Sequence, residues 1–161
     1  MNCTVVLTKT KRSFLFMKRI IALDVGEKTI GIAVSDELRI IAQGVMTYER
    51  IGIKKDTDKV LELFREYDCD TVVLGLPINL DGSDSIQTEK VREFRTKLEN
   101  KFRSTGGGLE NTVFEWQDER FTTVIAEDVL IAADMSREKR KKVIDKQAAV
   151  VILQSYLDSH K

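Results

Sequence analysis

The chain has 161 residues, 42% hydrophobic and 32% charged, with 26 basic residues balancing 26 acidic ones. That composition predicts a soluble, folded domain with a real core. It excludes a disordered chain, a bilayer-spanning one, and a protein coated in positive charge for general nucleic-acid binding. Cys3 and Cys69 are the only cysteines and lack metal-ligand spacing, so free thiols in a reducing cytosol are expected.

Residues 1–16 show no clear periodicity and read as an unstructured extension or a misplaced start, with Met17 a second start. Thr4 to Leu7 is a short apolar patch followed by basic residues, the reverse of a signal peptide. Residues 17–161 read as one domain. An apolar run, Ile20 to Leu23, ends in the carboxylate of Asp24, and a turn through Gly26 leads into Ile30 to Val34. These are two strands joined by a tight turn. Ile40 to Tyr48 completes an antiparallel meander. Asp56 to Tyr67 changes to helical spacing, with Val60, Leu61, Leu63 and Phe64 on one stripe.

Thr71 to Leu76 is continuously apolar, as a strand buried on both faces is, and Pro77, the only proline, stops it. Turn residues fill Asn79 to Asp84, and Asp84 with Gln87 predicts a capping box for a helix to about Lys101. Ser104 to Gly108 is a loop and Thr112 to Trp116 a strand, followed by the polar string Gln117-Asp118-Glu119-Arg120. Thr122 or Thr123 caps a helix to about Ala133, and a last helix carries Val143 to Leu157, beginning near Ser136. The order βββαβαβαα predicts an α/β fold, a mixed five-stranded sheet with helices on both faces and right-handed crossovers.

Three acidic positions stand out. Asp24 ends a buried strand, where a desolvated carboxylate is costly unless a cation meets it; the plainer role is a turn former. Asp118 and Glu119 follow the last strand. Asp145 heads a helical stripe continued by Ala148, Ala149, Ile152 and Tyr156, which puts the acid on the apolar face; the plainer role is an ion pair with Lys141 or Lys142. Converging carboxylates would suit Mg²⁺ or Mn²⁺ rather than zinc. Two such ions about 3.5–4 Å apart serve phosphodiester hydrolysis without histidine. The only histidine, His160, sits at the tail. The run Arg137, Lys139, Arg140, Lys141, Lys142 and Lys146 flanks Asp145, either as a solvated helix face or as a patch for a polyanion.

Four motifs now become specific: Leu23-Asp24-Val25-Gly26 with Lys28 to Ala33; Gly75-Leu76-Pro77 with Asn79 and Gly82; Asp118-Glu119-Arg120-Phe121-Thr122-Thr123; and Lys142 to Ala149. Together they resemble the YqgF family, whose members look like Holliday-junction resolvases of the ribonuclease H-like fold. The resemblance runs from about Met17 to the C-terminus. It implies strand order 3-2-1-4-5 and a nuclease acting in 5′-end maturation of pre-16S rRNA. Asp24 then corresponds to the first-strand acid that bridges metals, Glu119 to the second carboxylate, with Asp118 an open alternative, and Asp145 to the helix acid. The fourth strand departs from many resolvases, because it ends without a carboxylate.

Lys28, Thr29 and Arg120 are candidates for holding phosphate, Arg120 by a bidentate contact, and Asn79 for positioning a substrate strand. Lys141 and Lys142 complete the expected substrate contacts. The expected partner is pre-rRNA or, alternatively, branched DNA, with no membrane; monomer and homodimer stay equally open. Two readings compete from other classes. A sugar kinase or actin-like ATPase shares the Asp-x-Gly turn but needs a second such domain, and a non-catalytic binding module would need no acid cluster.

Overall fold

The computed structural model describes residues 17–118 and 136–161, with residue 138 and residues 140–145 described through their backbone alone. Five strands form one sheet: β1 (Arg19–Val25), β2 (Thr29–Ser35), β3 (Ala42–Glu49), β4 (Cys69–Leu76) and β5 (Val113–Asp118). Three helices accompany them: α1 (Ile53–Glu66), α2 (Ile86–Thr105) and α3 (Arg137–Ser159). The sheet order is β3-β2-β1-β4-β5, which is the implied order 3-2-1-4-5. The meander β1-β2-β3 is antiparallel, and β4 and β5 join parallel to β1.

Strand alternation sorts the core into two layers. Ile21, Leu23 and Val25 of β1, Ile30, Ile32 and Val34 of β2, and Val72 and Leu74 of β4 face α1 and α2, packing on Phe64, Phe94 and Phe102. Ile20, Ala22, Ala33 and Val73 face the other way, onto Ala149, Ile152, Leu153, Tyr156 and Leu157 of α3. Small residues on that second face let α3 lie close to the sheet. Thr71 through Gly75 are all buried, as expected for a central strand covered on both sides.

Several boundaries differ from the sequence reading. Ile40 and Ile41 lie before β3 and are exposed, because Asp36 caps the turn by accepting from both of their amides, at 2.7 and 3.1 Å. The capping box of α2 sits one residue later than expected. Ser85 is the N-cap, its hydroxyl accepting from the Thr88 amide at 3.2 Å, while the Thr88 hydroxyl accepts from the Ser85 amide at 2.9 Å. Asp84 instead pairs with Arg92. Gln117 and Asp118 belong to β5 rather than following it, since the β4–β5 ladder runs to Leu76 and Asp118. Gly106, Gly107 and Gly108 all adopt left-handed φ, which the expected glycine loop alone accommodates cheaply. The helix expected over residues 122–133 lies outside the described residues, as do residues 1–16.

Ser35, fully buried, ties the meander together: its hydroxyl accepts from the Ile20 amide at 2.9 Å and donates to the Asp36 carbonyl at 2.9 Å. The bond matters because β1 and β4 lose regular register between Arg19 and Ile20. Ser35→Ala should cost about 1–3 kcal/mol, the penalty of an unsatisfied buried amide, read as a lower urea midpoint at unchanged slope.

Candidate active site

Asp24 is half-buried and, by alternation with Ile20 and Ala22, stands on the α3 face at the C-terminal end of β1. Its neighbours are unusual. It is paired directly with Gly31 of β2, and one step past the Leu23–Leu74 pair it lies beside Gly75 of β4. Any side chain at Gly75 would stand between Asp24 and the end of β5. The fourth strand therefore places a buried glycine, and no carboxylate, beside Asp24.

On β5, Phe114 and Trp116 pack into the α1/α2 layer. Asp118 shares their face and is exposed. Gln117, in register with Gly75, shares the face of Asp24. Alternation thus turns Asp118 away from Asp24. Glu119 and Arg120 lie outside the described residues.

Helix α3 runs back along the sheet. Its C-terminal Tyr156 and Leu157 sit beside Ile20, at the start of β1. From Tyr156 to position 145 the helix climbs about 16 Å at 1.5 Å per residue, while β1 climbs about 13 Å from Ile20 to Asp24 at 3.3 Å per residue. Ideal rises thus carry the N-terminal half of α3 toward the Asp24 end of the sheet. Ala148 and Ala149 are buried, as the apolar stripe predicts. Of the side chains of Asp145, Lys141 and Lys142 nothing is described. Arg137, Lys139 and Lys146 are exposed. The aliphatic stem of Lys146 covers Gly44 of β3, where an added Cβ would lie 2.4 Å from its Cε.

The other expected contacts are placed as follows. Lys28 is exposed in the β1–β2 turn, and Thr29, half-buried, opens β2 opposite Glu49. Asn79 builds its own loop, its Nδ2 donating to Ser83 Oγ at 3.0 Å and to the Asp84 carbonyl at 3.4 Å. That is a structural role in the loop after β4.

Sequence reasoning missed a buried ion pair beside this turn. Asp56, 0% exposed, accepts from Arg50 Nε at 2.9 Å and from the Ile51 and Gly52 amides at 3.0 and 3.3 Å. Burial and the Asp56 carboxylate, to which its hydroxyl donates, hold the Tyr48 phenol above its usual range. Gln87 Nε2 donates to the Val25 carbonyl at 2.9 Å, fixing the residue after Asp24. The signal existed: Asp56, Val60, Leu63 and Phe64 share one helical stripe, the pattern that singles out Asp145.

Among the described residues no three acids, imidazoles or thiols come together as a metal site. Among the described residues the imidazole and the thiol both lie at the other end of the sheet from Asp24. His160 stacks on Tyr156 at the far end of the sheet, ring centroids 4.0 Å apart. The Cys69 thiol is buried at the start of β4, where burial pushes it up to about 12. Carboxylates without imidazole or thiolate fit a hard divalent cation.

A family model described as RuvX, Holliday junction resolvase, matches residues 18–159. A "putative pre-16S rRNA nuclease" of Caldanaerobacter subterraneus is 49% identical over 144 residues, covering 89% of this chain and 98% of the relative. One of the same name from Clostridium tetani is 47% identical over 141 residues, covering 88% and 96%. In three dimensions the chain is similar to Fowlpox virus resolvase in complex with Holliday junction DNA, with TM-score 0.55 and 16% identity, covering 88% and 98%. That likeness carries the fold, which is ribonuclease H-like.

Proposed function

Because the chain belongs to the RuvX family, the YqgF family of the sequence analysis, we propose that it is a metal-dependent endonuclease hydrolysing phosphodiester bonds in structured nucleic acid, with the 5′ leader of pre-16S rRNA as its substrate. The observation that carries this reading is Asp24, held half-buried at a strand end between two glycines, on the face that α3 crosses. Asp24, Glu119 and Asp145 are the residues that would hold Mg²⁺ or Mn²⁺, two ions in this reading. When bound, such ions supply an activated water and charge stabilisation at the leaving oxygen.

The chain's own residues do the rest. Asp24 offers two oxygens at a rigid position. Gly31 and Gly75, both buried, put no side chain on the sheet beside Asp24. Lys28 and Thr29 lie one turn away to hold a phosphate, with Arg120 making a bidentate contact. Lys141 and Lys142, continuing the exposed Arg137 and Lys139, steer the polyanion along the start of α3. Asn79 shapes the loop past β4 that borders the strand's path. Residues 17–161 form the working domain. No helix among the described residues is long and apolar enough to cross a membrane.

A four-way DNA junction is the second reading, supported by the description of the family and by the fold shared with Fowlpox virus resolvase. A direct comparison separates the two. Purified protein is incubated with a pre-16S 5′-leader RNA and with a synthetic junction, each with Mg²⁺, Mn²⁺ or EDTA. Metal-dependent scission of the RNA in preference to the junction is the expected result. Preferential junction cutting would install the resolvase, and cleavage of neither would leave a binding module of the same fold.

A further inference from the structure

We propose that Arg50 is a positioning residue for the proposed nuclease site, clamping the β1–β2 turn so that Asp24 keeps one orientation. The proposal rests on the reading of Asp24 as a catalytic acid. Arg50 reaches the turn twice: its Nη1 donates to the Gly26 carbonyl at 2.8 Å, and its backbone amide donates to the Lys28 carbonyl at 2.9 Å. Its Nε is held by Asp56 at 2.9 Å, and its guanidinium lies over the Phe94 ring, 5.4 Å from the centroid. Asp56 in turn is fixed by the Ile51 and Gly52 amides at the start of α1. The clamp therefore links three elements, α1, α2 and the turn, through one planar cation.

The geometry is directional. Gly26 lies two residues after Asp24, and its own amide closes the turn by donating to the Thr29 carbonyl at 2.8 Å. Gln87 holds the intervening Val25 carbonyl. Every backbone carbonyl from Val25 to Gly26 is thus engaged by a side chain from outside the turn. Such restraint is more than a two-strand turn needs, and it acts next to the residue whose placement matters most. A guanidinium can serve Asp56 and Gly26 at once because its donors are fixed in a fork; an ammonium cannot hold both geometries.

The test uses the full chain with Arg50→Lys. In metal-free protein, amide exchange of Gly26 should quicken by about tenfold, while the Val72 and Val73 amides of β4 stay within about twofold. In Mn²⁺-dependent cleavage, kcat should fall by about tenfold or more, as misplacement predicts, with KM for nucleic acid unchanged. Should Arg50→Lys unfold, the isosteric Asp56→Asn loosens the same clamp and carries the same expectations. Equal acceleration of Gly26, Val72 and Val73 would reduce Arg50 to a stability residue and overturn the proposal. So would wild-type Gly26 protection and kcat in a background where Asp24→Asn abolishes cleavage. If Asp24→Asn itself cleaves normally, the site reading falls first and the positioning role falls with it.

Discussion

Asp24→Asn should abolish metal-dependent cleavage while leaving the fold intact. The substitution keeps the shape of the side chain and removes its charge. Losing a carboxylate that would hold a divalent cation would forfeit several kcal/mol of transition-state stabilisation, which at 1.36 kcal/mol per decade is a loss of roughly 10³-fold in kcat. Stability should not fall with it. Asp24 is half-buried at the end of β1, and Asn keeps its shape and its ability to hydrogen-bond. A melting temperature equal to or above wild type, with nucleic-acid affinity preserved and turnover lost, is the combined signature. Loss of turnover together with a large drop in melting temperature would instead assign Asp24 a structural role in the turn.

Much of the fold around Asp24 was legible in the sequence because its parts obey simple periods. The strand ending in Asp24 announces itself by an apolar run and a glycine turn, and the stripe of Ala148, Ala149, Ile152 and Tyr156 proves to be the buried face of α3. What escaped depends on pairing across the sheet, which no local pattern encodes. That Gly31 and Gly75 flank Asp24 follows only once β2 and β4 are both neighbours of β1. That Arg50 reaches Gly26 requires the end of β3 to return beside the first turn. The capping box was misplaced for a different reason. Asp84 and Ser85 are both good N-caps, and the choice was made by the antiparallel bridge between Ile78 and Asp84, which commits Asp84 to the loop.

The same pairing decides between two acids that are adjacent in sequence. Glu119→Gln should reduce kcat by roughly 10³-fold, the scale of a lost metal ligand, whereas Asp118→Asn should leave it within about threefold, as an exposed surface substitution does. The argument is alternation. Phe114 and Trp116 pack toward α1 and α2, and Asp118 continues that face, so its carboxylate lies on the opposite side of the sheet from Asp24. Were alternation to continue past Asp118, the next position would return to the face of Gln117, which is level with Gly75 and separated from Asp24 only by that glycine's strand. β1 and β5 are two strand spacings apart, about 9.6 Å at about 4.8 Å per strand, so carboxylates leaving them on one face would share ions only by reaching toward each other across Gly75. The reversed result, with Asp118→Asn inactive and Glu119→Gln active, would mean that β5 breaks its alternation immediately after Gln117. A bulge there would re-aim Asp118 across the gap, and Gly75 would then matter for admitting Asp118 rather than Glu119.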